Sequence, residues 1–209
     1  MARVVSWHSL EDCASLTEAL EVLRAGGVVA CPTETYYGLA VDAFQEAALD
    51  RVLAIKGRPM GKPLLVLVAD VGMVEQVALN VPALALQLMA RFWPGPLTLI
   101  LPARPFLPMQ LTAGTGTIGV RQSSHRLVRS LTAAYGSPLT GTSANRSGQP
   151  PLIRASQLQK EMGTELELIL NSGPCPGGLP STVLDLTQTP PRLVRIGLVT
   201  AAVLQEYLI

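Results

Sequence analysis

Short apolar runs alternate with segments of helical periodicity along the whole chain, and this alternation restricts the possible folds more than any other feature. The periodicity predicts a first helix that ends at glycines 26–27, then helices near residues 45–56, 71–78, 83–92, 126–135, 155–162 and 199–207. Strands are predicted near residues 28–31, 64–69, 97–101, 117–121, 166–170, 181–186 and 192–196. Interleaved helices and strands of this kind predict an α/β or α+β domain with a mixed sheet.

Length and composition predict one globular domain over residues 1–209. A hydrophobic content of 48% with 15% charged residues excludes an intrinsically disordered chain. No apolar run approaches the roughly 20 residues that cross a bilayer, so no membrane association is expected. The N-terminus has no basic-then-apolar segment and the three cysteines form no close pair, which favours a cytoplasmic protein. The Pro/Gly-rich residues 172–180 are the best candidate for a mobile loop.

The charged residues are unevenly distributed along the chain. Two of the three lysines, Lys56 and Lys62, flank Arg58 in a short loop that we call the lysine loop. Residues 76–160 contain eight cations and no Asp or Glu. Lysine supplies a mobile point charge for phosphate and arginine a planar fork that binds it bidentately. Charge of one sign in a cleft concentrates anions, so this pattern predicts a polyanionic ligand, unless the charges have merely segregated on a solvated surface.

Four segments combine polar side chains with strand ends and turn residues, where binding sites are usually built. They are residues 32–39, the lysine loop, residues 140–148, and residues 180–183 together with 195–197. Hydroxyls and amides on a glycine-containing turn can bind phosphate oxygens without adding negative charge. Taken singly, each segment also fits an N-cap cluster, a solvated surface or a Ser/Asn turn. The sequence has neither a P-loop nor a Rossmann fingerprint, so a nucleotide would need another scaffold.

In this order the segments resemble the YrdC-like family of threonylcarbamoyl-AMP synthases, in its single-domain bacterial form. The matching elements are PTETYYGL (32–39), KGRPMGKPL (56–64), PGPLTLIL (94–101), IGVR (118–121), TSANRSG (142–148), PSTVLD (180–185) and RIG (195–197). The resemblance implies the family's α/β fold: a twisted, open, mixed β-sheet with surrounding helices and a basic concave groove. It also implies an enzyme that converts L-threonine, bicarbonate and ATP to threonylcarbamoyl-AMP and pyrophosphate.

The same resemblance implies the product's use and the site residues. Threonylcarbamoyl-AMP would serve modification of tRNA, with tRNA and tRNA-modification proteins as possible partners. A catalytic tetrad is expected at Lys56, Arg58, Ser143 and Asn145. ATP is expected to bind these four residues together with Lys62 and Arg195. L-threonine is expected at Thr33, Thr35, Arg121 and Ser181. Mg²⁺ would arrive on the ATP phosphates, with no protein side chain as its ligand.

Several departures from the family pattern affect loop shape rather than charge. Ala40 stands where a glycine is common, Tyr36 replaces a smaller aliphatic residue, and residues 122–124 lack a usual proline. The extra C-terminal domain of longer relatives is not in this sequence, so closure over the substrates would come from elsewhere, with residues 172–180 as the candidate. Two alternatives stay open: a relative of the same fold that handles carbamoyl-adenylate, and a non-catalytic RNA-binding module with a basic groove.

Overall fold

The structure, a computed structural model, describes residues 1–9, 13–57 and 62–208. Its helices are α1 (Cys13–Arg24), α2 (Glu46–Lys56), α3 (Ala83–Phe92), α4 (Met109–Thr112), α5 (Arg126–Tyr135), α6 (Ala155–Met162) and α7 (Ala201–Gln205), with a 3-10 helix at Gly72–Gln76. Its strands are β1 (Arg3–Ser6), β2 (Val29–Cys31), β3 (Gly38–Ala40), β4 (Leu65–Leu67), β5 (Leu97–Pro102), β6 (Thr117–Arg121), β7 (Leu139–Thr140), β8 (Thr142–Ser143), β9 (Leu168–Asn171), β10 (Thr182–Asp185) and β11 (Arg192–Arg195).

The strands form two mixed sheets. One has the order β1-β9-β2-β3-β8 and the other β11-β10-β5-β6-β4-β7. In the first, β9 pairs in parallel with β1 and β2, whereas β3 runs antiparallel to both of its neighbours. In the second, parallel and antiparallel pairs alternate from β11 to β7. The predicted mixed α/β fold is confirmed, but its strands are divided between two sheets rather than joined in one.

The chain passes from one sheet to the other at residues 139–143. Strand β7 pairs with β4 in the six-stranded sheet, and β8 pairs with β3 in the five-stranded sheet. Gly141 lies between them, and a Cβ at that position would be 2.5 Å from Leu67 Cγ. Only glycine therefore fits the crossing without displacing the Leu67 side chain, and the crossing brings Ser143 to the edge of the five-stranded sheet.

Helices α1 and α5 cover one face of the five-stranded sheet. Leu23 of α1 and Leu127 and Leu131 of α5 are buried in one apolar cluster with Val29 and Leu168 of the sheet. A fully buried leucine contributes about 1.5–3 kcal/mol relative to an exposed one. A larger cluster joins the six-stranded sheet to α2, α3, α6 and α7. Packing within these two clusters fixes the positions of the sheets and therefore of the ends of the loops between them.

Most predicted elements are confirmed within a few residues. The helices predicted at 83–92, 126–135 and 155–162 have the observed bounds of α3, α5 and α6. The helix predicted at 71–78 is the 3-10 helix. Strands β1, β3, β7 and β8 and helix α4 were not predicted, because all five elements are only two to four residues long.

None of the helices within the described ranges combines the length and the apolar character that crossing a membrane requires.

Candidate active site

A cleft of about 990 Å³ opens between the two sheets. Its walls come from Thr33 and residues 35–38, from Lys56 and residues 62–65, and from parts of β5 and β6. Further lining residues come from 141–143, Asn145, 147–148 and Pro151, and from Pro180, Ser181, Val183 and Arg195. Its volume lies at the upper end of the range for pockets that bind small molecules. The four segments that were singled out in the sequence therefore meet at one place.

The structure brings the predicted site residues together. Those that line the cleft are Thr33, Thr35, Lys56, Lys62, Arg121, Ser143, Asn145, Ser181 and Arg195. Arg58, the remaining member of the predicted tetrad, lies outside the described residues.

Few of the cations in the acid-free stretch, residues 76–160, line the cleft. Of the eight cations between residues 76 and 160, only Arg121 is among the described lining residues. Arg146 instead pairs with Glu165 at 2.7 Å, and Arg129 donates to the carbonyls of Ser123 and Ser124. The other cations of the described lining, Lys56, Lys62 and Arg195, come from outside this stretch. The described lining residues nevertheless include no Asp or Glu.

Lys56 is a buried and firmly held cation. It is the last residue of α2, which Gly57 ends in the left-handed conformation with φ 56°. Its side chain donates to the backbone oxygens of Ser143 and Asn145 and, at 3.2 Å, to Asn145 Oδ1. In return, the backbone N–H of Ser147 donates to the carbonyl of Lys56 at 2.8 Å. Lys56 is thus not a mobile surface charge; it fixes residues 143–147 against the end of α2.

Ser143 and Asn145 are oriented by hydrogen bonds to each other and to the same loop. Ser143 Oγ donates to Asn145 Oδ1 at 2.6 Å. Asn145 Nδ2 donates to the carbonyls of Gln149 at 2.6 Å and Arg146 at 3.0 Å. The side chains of Lys56, Ser143 and Asn145 therefore form one preorganised unit that presents positive charge and neutral polar groups to the cleft.

Arg121 lies on the opposite wall, at the end of β6, and it faces a carboxylate that was not among the predicted site residues. Its Nη1 is 3.7 Å from Glu34 Oε1, and both side chains are largely buried. Burial lowers the pKa of Arg121, and Glu34 opposes that shift. Glu34 also accepts a hydrogen bond from Ser123 Oγ. The signal for Glu34 was present in the sequence, since it is the one carboxylate within residues 32–39.

Arg195 and Ser181 are hydrogen-bonded to each other. Arg195 donates from Nε to the carbonyl of Ser181 and from Nη2 to its hydroxyl, each at 3.0 Å. Thr98 Oγ1 lies 3.0 Å from the same hydroxyl. Burial lowers the pKa of Arg195, and the nearby charge of Arg121 lowers it further. The residues expected to bind the nucleotide and the amino acid therefore meet directly at Ser181.

Residues 172–180 lie against the segment that carries Thr33 and Thr35. Gly177 N–H donates to the carbonyl of Thr35 at 2.9 Å, and Tyr37 Oη donates to the carbonyl of Gly173 at 3.1 Å. Tyr36 Oη donates to the carbonyl of Gly178. Thr33 Oγ1 lies 3.0 Å from Thr35 Oγ1. The loop of residues 172–180 is thus tied to the wall of the cleft by three hydrogen bonds.

Over the described parts of the chain, no group of three or more His, Cys, Asp or Glu side chains is arranged to hold a metal ion. The site instead offers cations, hydroxyls and an amide. Such a donor set stabilises negative charge through hydrogen bonds and electrostatic potential, which suits anionic substrates.

Comparison with known proteins identifies relatives whose similarity to this chain extends over the whole region that forms the cleft. The Sua5/YciO/YrdC family model, described as "Telomere recombination", matches residues 21–197. A threonylcarbamoyl-AMP synthase of Pyrococcus abyssi is 39% identical over 84% of this chain and 52% of its own length. One from Chromohalobacter salexigens is 37% identical over 84% of this chain and 95% of its own length. The crystal structure of P. abyssi Sua5 complexed with L-threonine superposes with a TM-score of 0.94 at 34% identity, covering 99% of this chain and 61% of that one.

The chain spans about half the length of the first relatives that it matches, with 52% of the P. abyssi protein and 54% of a Bacillus subtilis threonylcarbamoyl-AMP synthase covered.

Proposed function

This chain belongs to the Sua5/YciO/YrdC family, and from that membership we propose that it is a threonylcarbamoyl-AMP synthase. The reaction takes L-threonine, bicarbonate and ATP to threonylcarbamoyl-AMP and pyrophosphate. One observation carries the proposal beyond the family: cations from α2, β6 and β11 face one cleft whose described lining has no carboxylate. A site of that kind suits a reaction between two anions, a triphosphate and a carbamate.

The chemistry requires positioning more than it requires covalent catalysis. Threonine's amine and bicarbonate yield a carbamate with loss of water. One carbamate oxygen then attacks the α-phosphorus of ATP while the bond to the pyrophosphate oxygen breaks. Positioning and electrostatic stabilisation dominate reactions of this type. A preorganised donor at developing charge is worth about 3 kcal/mol. The unit formed by Lys56, Ser143 and Asn145 supplies positive potential at the α-phosphate, and Arg58 completes the proposed tetrad.

The two substrates occupy different parts of the cleft in this proposal. ATP binds the tetrad, Lys62 and Arg195, and the Mg²⁺ that it carries neutralises charge on its phosphates. L-threonine binds between Thr33 and Thr35 on one side and Arg121 and Ser181 on the other. The hydrogen bonds between Arg195 and Ser181 support this arrangement, because transfer between the substrates requires neighbouring subsites.

The product is passed on for threonylcarbamoylation of tRNA, and we expect the protein to act in the cytoplasm with tRNA-modification proteins as partners. Three free thiols, two of them buried, suit a reducing compartment. Whether tRNA itself binds is tested by retention of unmodified tRNA on the immobilised protein.

Turnover tests the proposed function. Purified protein with ATP and Mg²⁺ should release pyrophosphate only when both L-threonine and bicarbonate are present, and threonylcarbamoyl-AMP should accumulate without RNA. Pyrophosphate release that needs RNA, or binding of RNA without any turnover, would favour the RNA-binding alternative instead.

A further inference from the structure

Where the amino-acid end of the cleft borders the part proposed for ATP, two guanidinium groups lie near one buried carboxylate. Arg121 and Arg195 both line the cleft, and they lie close enough that the charge of Arg121 lowers the pKa of Arg195. Two guanidinium groups at one end of a cleft form a strong site for phosphate oxygens. Left uncompensated, they would attract the triphosphate or pyrophosphate to the place where the amino acid has to bind.

Glu34 compensates the positive charge of Arg121, and it does so without occupying the cleft. Its Oε1 lies 3.7 Å from Arg121 Nη1, and the exposed fractions of the two side chains are 13% and 4%. Charges interact more strongly in such a shielded place than in water. Glu34 itself is not among the lining residues, so it lies behind Arg121 as seen from the cleft.

The carboxylate is held in this orientation by its neighbours. Ser123 Oγ donates to Glu34 Oε2, and the same hydroxyl accepts the backbone N–H of His125 at 3.1 Å. The Oε1 atom is thereby left to face Arg121. Glu34 is thus fixed to the start of α5 and does not depend on Arg121 for its position.

The contact between Arg121 and Glu34 leaves Arg121 able to donate hydrogen bonds to a ligand. A separation of 3.7 Å compensates charge but is too long for a hydrogen bond. Arg121 Nε is buried and has no hydrogen-bond partner within the described ranges. By contrast, the guanidinium of Arg195 is bonded to neutral oxygens of Ser181. Arg121 can therefore still donate to a ligand carboxylate although its charge is already balanced.

We propose that Glu34 is a specificity-determining residue, which balances Arg121 so that this end of the cleft accepts a zwitterionic amino acid and rejects polyanions. The triphosphate is thereby confined to the part of the cleft formed by Lys56, Lys62, the Ser143–Asn145 loop and Arg195. This inference rests on the proposed function, since it takes the amino acid to bind beside Arg121.

Competition binding tests it on the full chain. Calorimetry would measure how inorganic pyrophosphate displaces ATP and L-threonine from the wild type and from Glu34→Gln, which keeps size but removes charge. In the wild type, pyrophosphate should displace ATP and leave threonine bound. In Glu34→Gln, pyrophosphate should bind at least about tenfold more tightly and displace threonine as well, whereas the affinity for the neutral zwitterion should change less than about threefold.

Two further variants distinguish the effect of the Glu34 charge from the effect of a general structural change. Glu34→Asp keeps the charge and should restore the exclusion of pyrophosphate. Glu18→Gln removes a carboxylate that pairs with Arg3 at 2.8 Å outside the cleft, and it should behave as the wild type. Equal pyrophosphate selectivity in Glu34→Gln and wild type would overturn the inference while leaving the proposed function intact.

If Glu34→Gln does not fold, competition binding with the wild type alone tests the inference. Retention of threonine at pyrophosphate concentrations that displace ATP supports the inference, and displacement of both ligands overturns it. Failure of L-threonine to bind the wild type at all would instead overturn the proposed function, and the inference with it.

Discussion

Replacing Lys56 with methionine should reduce both stability and turnover, because this lysine links the end of α2 to the Ser143–Asn145 loop. Methionine has a similar length but no donor. Asn145 Oδ1 would keep its bond from Ser143 Oγ, but the backbone oxygens of Ser143 and Asn145 would both lose their ammonium partner. A hydrogen bond to a charged group is worth about 1.5–3 kcal/mol, so the two together amount to about 3–6 kcal/mol.

Part of that loss is recovered, since methionine avoids the cost of burying an ammonium group. We therefore expect the free energy of unfolding to fall by about 2–3 kcal/mol, measured by urea denaturation. The rate of pyrophosphate release should fall at least about a hundredfold, as expected when a preorganised positive charge beside the developing charge is lost.

Lys62→Met is the matched control, because Lys62 lines the same cleft with an exposed side chain. It should lower turnover while leaving the urea midpoint unchanged. A Lys56→Met protein with the stability of the wild type would refute the view that the buried ammonium holds the loop. Wild-type turnover in a stable Lys56→Met protein would remove Lys56 from the mechanism.

Three further predictions follow from other parts of the molecule. Gly141→Ala should lower the free energy of unfolding by about 1–3 kcal/mol, because the new methyl group would meet Leu67; an unchanged urea midpoint would show that the crossing between the sheets is looser than described. Burial lowers the pKa of His125 in the folded protein below its value in the unfolded chain. The stability that neutral His125 contributes is therefore present above the unfolded-state pKa and is lost as the pH falls toward the folded-state pKa. His125→Gln should flatten the fall in stability between about pH 7 and pH 5, and an unaltered pH profile would contradict this. Arg58→Ala should reduce pyrophosphate release at least about a hundredfold, and a rate within a few-fold of the wild type would exclude Arg58 from the tetrad.

The longer elements could be predicted from the sequence because their own periodicity determines them. Helices α3 and α5 have apolar faces that repeat over three turns, so local pattern and tertiary burial agree. Strands β7 and β8 have two residues each, and they exist because Gly141 lets the chain cross beside Leu67. No apolar run marks such a crossing. Its position depends on contacts with strands that are distant in sequence.

The site was predictable in its parts but not in its electrostatics. The ordered motifs placed Lys56 and Arg121 in one site, which the cleft is consistent with. The burial of Lys56 by the Ser143–Asn145 loop was not predictable, because a lysine at the end of a helix, before a glycine, is more often a solvated charge. Glu34 was missed since a carboxylate among hydroxyls before a glycine also fits an N-cap cluster. Its role depends on Arg121, which is far from it in sequence.

The most direct test of the central claim is a crystal structure of the protein with L-threonine and a non-hydrolysable ATP analogue. The account predicts that the threonine carboxylate lies within hydrogen-bonding distance of Arg121 and that the α-phosphate lies beside Ser143 and Asn145, with the threonine amine facing the α-phosphorus. Binding of either ligand outside the cleft, or of the triphosphate against Arg121 with the amino acid elsewhere, would contradict it.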